Sequence, residues 1–308
     1  MKKVFIDGQA GTTGLQLKNK LLRHPSVELI EIDVALRKDE TERKRLMNSA
    51  DVVFLCLPDA AAVEAVKLVE NPDTIIIDAS TAHRVNDSWT YGFPELSEEH
   101  RKNISASKRI ANPGCHATGF ISVIYPLIAC GMMPKNYPVT AHSITGYSGG
   151  GNKMIAEYES ESRESFYKSP RQYGLTQNHK HLPEMKKITG LAFEPVFSPI
   201  VSDFYCGMAV SVPVYTELLN KKLSLYELKE LYIRYYQNSK FITVHSGPED
   251  GFLPAVGLEG TNSLRIYVCG NDERVVITAV FDNLGKGASS AAIQNMNIAL
   301  GFDEATAL

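Results

Sequence analysis

No apolar stretch of the chain approaches the roughly 20 residues needed to span a bilayer. The amino terminus, Met1-Lys2-Lys3-Val4-Phe5-Ile6-Asp7, reaches its first turn too soon to hold a secretory hydrophobic segment. Neither a membrane span nor an export signal is therefore expected, and a cytoplasmic location is. Cysteine is sparse: five residues, an odd number, scattered along the chain, with no pair at zinc-site spacing. That pattern draws no disulfide framework and no metal site, and it fits a reducing compartment. Blocks of one charge are absent too. The formal net charge is −3 with histidine neutral, so neither nucleic acid nor an anionic membrane surface is an expected partner. No internal repeat or low-complexity segment interrupts the chain. What is left is an ordinary globular composition over 308 residues, long enough for two domains with ample core.

The most informative stretch is Asn112-Pro113-Gly114-Cys115-His116-Ala117-Thr118-Gly119, lying between apolar Ile110-Ala111 and an apolar run from Phe120 to Ile128. Proline and glycine punctuate the chain there, so the stretch reads as a tight turn opening a helix. Cys115 then falls at or just before the helix start. Unpaired N–H groups and the positive end of the macrodipole favour a thiolate at that place, and a thiolate is a nucleophile. The competing reading is a small buried hydrophobe; the turn in front and the helix behind favour the nucleophile.

The first third alternates strand and helix. Val4–Ile6 runs into Gly8-Gln9-Ala10-Gly11-Thr12-Thr13-Gly14, followed by Leu15, Leu17, Leu21 and Leu22. Glycines three apart between a strand and an amphipathic helix let the backbone approach a pyrophosphate at a helix N-terminus. The spacing is G-x-x-G-x-x-G rather than G-x-G-x-x-G, so glycines that merely turn a loop remain an alternative. A second strand is expected over Leu29–Asp33, with Asp33 where a ribose-binding acid would lie. Arg37 and Lys38 follow, cations able to hold a 2′-phosphate, which favours NADP over NAD; a solvated loop is the other reading. Asp51–Leu57 and Thr74–Asp78 read as buried strands, Ala60–Val69 as a helix, and Cys56 as inert core. This alternation predicts a doubly wound parallel sheet, with Gly8, Pro58, Ser80 and Cys115 gathered outside the carboxyl ends of the strands. Arg84, just past a strand end, is a candidate grip for an anionic substrate group, or else a surface arginine.

From Pro138 the pattern changes. Val139–Tyr147 alternates, and Ser148-Gly149-Gly150-Gly151-Asn152 is a glycine loop that either closes over cofactor or substrate or is a flexible hairpin. Ala156–Phe166 reads as an exposed helix. Asn178-His179-Lys180-His181-Leu182-Pro183-Glu184 carries two histidines, thin as a metal site but suited to supply a general base for Cys115. Phe204–Tyr215, Leu264–Cys269 and Val275–Phe281 are long β-like runs without helical crossovers, which predicts an antiparallel or mixed sheet. Leu225–Tyr236 is a tyrosine-rich amphipathic helix suited to core or subunit contact. Asp282-Asn283-Leu284-Gly285-Lys286-Gly287-Ala288-Ser289 turns into a last helix with small residues on one face. The expected division is 1–114 for cofactor binding, joined by the terminal helix 284–308, and 115–283 for catalysis and oligomerisation.

These motifs resemble, across essentially the whole chain, the short form of the N-acetyl-γ-glutamyl-phosphate reductase family within the semialdehyde dehydrogenase superfamily. The resemblance is carried by Gly8–Gly14 with Leu15 and Gln16, Tyr91-Gly92-Phe93-Pro94-Glu95, Asn112–Thr118, His179–Glu184 and Asp282–Asn297. Longer members carry an aromatic where this chain has Thr12, which sorts it with the short form. The resemblance implies an α/β fold, with a Rossmann-type dinucleotide-binding domain and an α+β catalytic domain with a mixed or antiparallel sheet. It implies NADP as cofactor, a small acyl-phosphate substrate, and a homodimer or homotetramer. By the same resemblance Cys115 is the acyl-accepting nucleophile forming a thioester, His181 its base, and His179 and Glu184 supporting positions. Gly8, Gly11, Thr12, Thr13, Gly14, Arg37, Lys38, Ser80, Gly149 and Asn283 are the expected cofactor contacts, and Arg84, Asn112 and His179 the expected substrate contacts. Another acyl-phosphate reductase, such as aspartate-semialdehyde dehydrogenase, and a dinucleotide-binding redox sensor remain alternatives.

Overall fold

A computed structural model describes residues 1–308. The chain divides into one unit made of Met1–Gly114 with Ala288–Leu308 and a second made of Cys115–Gly287.

The first unit is built from β1 (Lys2–Asp7), α1 (Thr12–Leu21), β2 (Val27–Ile30), α2 (Glu40–Ser49), β3 (Val52–Leu55), α3 (Asp59–Leu68), β4 (Ile75–Asp78), β5 (Thr90–Tyr91), α4 (Glu98–Ala106) and β6 (Arg109–Ala111). Its sheet is wholly parallel, in the order β2-β1-β3-β4-β6-β5. All four residues of β3 and of β4 are buried, as expected for parallel strands covered on both faces. The period-2 alternation of strands then assigns the faces. Val4, Ile6, Val52 and Phe54 pack with Leu17 and Leu21 of α1, whereas Phe5, Val53 and Leu55 pack with Leu46 and Met47 of α2 and Ala62 and Ala65 of α3. Asp39 caps α2 and Ser97 caps α4, each side chain accepting a first-turn N–H.

The second unit opens with α5 (Cys115–Ala129), followed by β7 (Thr140–Gly146), α6 (Gly151–Glu159), β8 (Arg171–Gln172), α7 (Leu182–Thr189), β9 (Val196–Ser202), β10 (Met208–Tyr215), α8 (Leu225–Tyr236), β11 (Ile242–His245), β12 (Leu264–Gly270) and β13 (Arg274–Phe281). These strands form one mixed sheet in the order β11-β12-β13-β10-β7-β9-β8. Most of α5 is buried, and it packs against β10, β13 and α7. Pro126 lies inside α5 and has no N–H to offer the carbonyl of Ser122, four residues back. The hydroxyl of Tyr236 donates to that carbonyl at 2.7 Å, and Tyr232 donates to the neighbouring Val123 carbonyl at 2.5 Å. The tyrosine-rich face of α8 is therefore core that completes a broken helical ladder. A capping box between Ser224 and Glu227 starts α8.

After β13 the chain passes a π turn at Gly285–Ser289 and returns to the first unit as α9 (Ser290–Leu300). Ala292, Ile293 and Met296 of α9 join the core on the α1 face of the parallel sheet.

Three local expectations are corrected. β2 ends at Ile30, so Asp33 is outside the strand, in a turn where its carboxylate accepts the N–H of Ala35 at 2.8 Å. Asp33 lowers its own backbone cost there, a habit of Asp that apolar periodicity does not register. The glycine stretch 148–152 is neither hairpin nor open loop: Tyr147–Gly150 is a 3-10 turn and Gly151 starts α6. Consequently the helix read over 156–166 starts earlier and ends at Glu159, and its Tyr158 is buried against Tyr147 rather than exposed.

Candidate functional site

Cys115 is the first residue of α5, half-buried, with its thiol at the end of the helix where the N–H groups lack helical partners. Room for it is made by Gly287: a Cβ there would stand 2.9 Å from the Cys115 Cβ. His116, next in the chain, is buried and held at both ring nitrogens, Nδ1 to the Ser143 hydroxyl at 2.7 Å and Nε2 to the Tyr173 hydroxyl at 2.7 Å. Around it stand His179 and His181, with ring centroids 5.3 and 5.6 Å from His116 and 4.8 Å from each other. Phe197 closes the cluster against His116 and His179. His181 is the N-cap of α7, and Glu184 lies buried in the first turn of the same helix. The backbone N–H of His181 donates to His179 Nδ1 at 3.2 Å, so that nitrogen carries no proton. The second unit thus brings His116, His179 and His181 together, with Cys115 next to His116 at the start of α5 and Glu184 in the first turn that His181 caps.

Three members of this cluster escaped the sequence reading: His116, Ser143 and Tyr173. His116 was visible as the neighbour of Cys115, and Ser143 as an inward position of an alternating strand. Tyr173 carried no local signal, because only the return of β8 alongside β9 brings it here.

The electrostatics are set by burial. Burial, and then the neighbouring His179, push the His116 pKa down to about 3. Burial and then Lys180 push His179 down to about 4. Burial and then the charge of Cys115 push the Tyr173 hydroxyl well up, so it stays protonated and Tyr173 lies within electrostatic reach of the thiol. An unfolded histidine titrates near 6.5. Between that value and about 3 the unfolded chain takes up a proton that folded His116 refuses, so stability falls as pH falls through this window. The expected slope from His116 is about 1.4 kcal/mol per pH unit. Urea titrations at pH 7 and pH 5 should show wild type losing about 2 kcal/mol more than His116→Gln. An identical pH dependence in the two proteins would remove this account of His116.

In the first unit, the turn from β1 to α1 is built as a close backbone approach. Gly8 has φ +89°, and a Cβ on it would fall onto the Cys56 carbonyl; a Cβ on Gly14 would stand 2.5 Å from the Gly8 carbonyl. Those two glycines are required by packing. Gly11 is not: its Cβ would meet only the Gly8 carbonyl, at 3.6 Å. Gly11 caps α1 without any side chain, and no acidic residue occupies the first turn, which begins with Thr12 and Thr13. A helix N-terminus without a side-chain cap suits a pyrophosphate. At the strand ends, Asp7 is ion-paired with Arg43 at 2.6 Å. Arg37 and Lys38 are exposed in the turn after Asp33.

The structure gives other partners to several expected contact residues. The Ser80 hydroxyl donates to Asp78 at 2.7 Å. Arg84 is buried and donates to the carbonyls of Asn112 and Ala79, both at 2.9 Å. The Asn112 amide donates to the Ala288 carbonyl at 3.0 Å and its oxygen accepts from Asn295 at 3.1 Å. These bonds hold the segment that leads into Cys115. In the second unit Asn283 is buried, donating to the Ser148 hydroxyl at 3.0 Å and accepting the Gly207 N–H at 2.8 Å, while Gly149 beside it is exposed. No group of three or more His, Cys, Asp or Glu side chains is arranged to hold a metal ion, and no helix is long and apolar enough to cross a membrane.

Residues 3–104 match the family model described as semialdehyde dehydrogenase, NAD binding domain, and residues 115–283 match semialdehyde dehydrogenase, dimerisation domain. The fold is shared with solved aspartate-semialdehyde dehydrogenases: one from Francisella tularensis, with TM-score 0.74 at 16% identity over 97% of this chain and 99% of that one, and one from Vibrio cholerae, with TM-score 0.72 at 14% identity over 98% of each. A parallel dinucleotide sheet followed by a mixed sheet led by a cysteine helix defines the class as a semialdehyde dehydrogenase. Within it, the N-acetyl-gamma-glutamyl-phosphate reductase of Trichormus variabilis is 44% identical over 98% of both chains, and that of Chelativorans sp. 43% identical over 97% of this chain and 98% of its own. The chain belongs to the N-acetyl-γ-glutamyl-phosphate reductase family.

Proposed function

We propose that the chain reduces N-acetyl-γ-glutamyl phosphate to N-acetylglutamate semialdehyde with NADPH, releasing phosphate, as a step of arginine biosynthesis in the cytoplasm. The observation that carries this reading is the placement of Cys115 at a helix start beside a histidine cluster, in a chain aligned end to end with reductases of that name. Gly8, Gly11 and Gly14, with Thr12 and Thr13, are the residues fitted to the pyrophosphate, and Arg37 and Lys38 to a 2′-phosphate. Ser80 in the first unit and Gly149 and Asn283 in the second are the further residues assigned to cofactor contact. The dimerisation domain supports assembly into a homodimer or homotetramer.

His181 takes the proton of Cys115, and the thiolate attacks the γ-carbonyl carbon. The carbon–oxygen bond to phosphate breaks, leaving a thioester on Cys115. The dinucleotide, when bound, supplies the hydride that reduces this thioester. First-turn N–H groups of α5, which have no helical acceptor, hold the oxyanion that forms. Collapse expels the Cys115 sulfur and releases the aldehyde, and the imidazolium of His181 returns its proton. A thioester accepts hydride far more readily than a carboxylate, which is why a covalent route suits the reaction. His179 and Glu184 orient His181, and His116 with Tyr173 and Ser143 form the wall behind the thiol.

The test is phosphate-dependent reduction of NADP and NAD with N-acetylglutamate semialdehyde and aspartate semialdehyde as rival substrates. Turnover with the N-acetylated compound, faster with NADP, is expected. Preference for aspartate semialdehyde would move the chain to another acyl-phosphate reductase, and no turnover with either would leave a dinucleotide-binding protein without this chemistry.

A further inference from the structure

We infer that Arg171 grips the free α-carboxylate of the substrate. The inference rests on the acyl phosphate proposed above: once its amine is acetylated and its γ-carboxyl phosphorylated, that molecule keeps one carboxylate. Several other arginines of the chain are paired with acids, and Arg84 and Arg109 donate to backbone carbonyls. Arg163 forms a two-point pair with Asp203 at 2.7 and 2.9 Å, Arg43 pairs with Asp7 at 2.6 Å, and Arg101 with Glu304 at 2.8 Å. Arg171 is different. It is half-buried on β8, and its partners are all uncharged. Its Nε and Nη2 donate to the Tyr158 hydroxyl at 3.1 and 3.0 Å, and the guanidinium lies over the rings of Tyr167, Tyr158 and Phe166 at 4.2, 5.0 and 5.4 Å.

Aromatic faces and a phenol orient a guanidinium without cancelling its charge. Drawing such a charge partly out of water without an anion is unfavourable, so the arrangement suits a protein that receives the anion from a ligand. Tyr158 engages the Nε and Nη2 edge of the fork, so Nη1 is the donor assigned to the carboxylate.

Place in the fold supplies the second argument. Arg171 faces Val201 across the β8–β9 ladder, and the Tyr173 N–H continues that ladder to the Pro199 carbonyl at 3.0 Å. Residues 171 and 173 therefore point to the same side of one extended strand. Tyr173 is the residue whose hydroxyl bonds His116, the neighbour of Cys115. Arg171 stands one strand repeat further on, about 6.7 Å. In the substrate, four carbon–carbon bonds separate the reacting carbonyl carbon from the α-carboxylate, a comparable span. Arg84, the arginine singled out from sequence, is engaged by backbone carbonyls in the first unit.

The test uses the full-length enzyme in the oxidative direction with N-acetylglutamate semialdehyde and with its α-carboxamide. Wild type should show a KM about 10- to 100-fold higher for the carboxamide, the loss expected for one charge-assisted contact. Arg171→Gln should raise KM for the acid by a similar factor, leave KM for the carboxamide and for NADP unchanged, and so abolish the discrimination. Arg171→Lys should recover part of it. Equal losses on acid and carboxamide, or an unchanged KM for the acid, would make Arg171 a structural residue and overturn the inference. If Arg171→Gln does not fold, Arg171→Lys and the wild-type comparison decide it: indifference of wild type to the carboxamide overturns the inference by itself. Absence of wild-type turnover with the acid is a separate outcome and fails the functional reading first.

Discussion

Serine in place of Cys115 is expected to lower kcat for acyl-phosphate reduction by at least about 10⁴-fold, the scale seen when a covalent nucleophile is removed. The substitution is nearly isosteric and Gly287 leaves the space beside position 115 unchanged, so folding should be unaffected. A hydroxyl at a helix start remains protonated where a thiol ionises, since even a full macrodipole shifts a pKa by far less than the gap between the two groups. Cofactor affinity should be untouched, because the glycine turn belongs to the other unit. Steady-state rates measure kcat, NADPH titration by fluorescence measures cofactor affinity, and the burst of phosphate in a single turnover measures acyl transfer to residue 115. A serine variant with wild-type rate, or with an intact phosphate burst, would end the thioester route.

Glutamine in place of His181 is expected to lower kcat/KM by about 10²- to 10⁴-fold, the usual contribution of a positioned base. The choice among three histidines follows from their surroundings. His116 has both ring nitrogens bonded to Ser143 and Tyr173, and its pKa of about 3 makes it a poor proton acceptor near neutrality. His179 uses Nδ1 to accept the His181 N–H, and its pKa of about 4 is also low. In the proposed mechanism the proton transfer is therefore assigned to His181. In wild type, kcat/KM should decline on the acid side as the base becomes protonated, and that decline should disappear in His181→Gln while persisting in His179→Gln. If His181→Gln kept both its rate and its acid limb, the base would have to be sought elsewhere.

Parts of the site were legible at the level of residues because they are local. Cys115 announces itself through the Pro113-Gly114 turn in front and the apolar helix behind. Gly8, Gly11 and Gly14 announce a turn because their spacing sits between a strand and an amphipathic helix. An antiparallel or mixed sheet in the second half was expected from long β-like runs such as Val275–Phe281, without its number or order of strands. What local pattern misjudged were segments governed by polar bonding and neighbours. Asp33 stabilises a turn through its own carboxylate, and residues 151–159 form a helix although the stretch begins with glycines.

By itself the amino-acid order determined the two kinds of sheet, the helix that begins at Cys115, and the family to which these motifs belong. Those properties depend on periodicity and turn chemistry within a few residues of each other. Only the tertiary structure decided which side chains gather around His116, the neighbour of Cys115, and how burial shifts the titration of His116 and His179. His116, Ser143, Tyr173, His179 and His181 come from four separate segments, and they meet because β8 folds back along β9 and α7 packs on α5. The low proton affinities of His116 and His179 come first from burial and then from a neighbouring group, and Arg171 stands out only when the folded chain gives it aromatic rings in place of an acid. Burial and partnership are properties of the assembled neighbourhood, and no short window of sequence contains them.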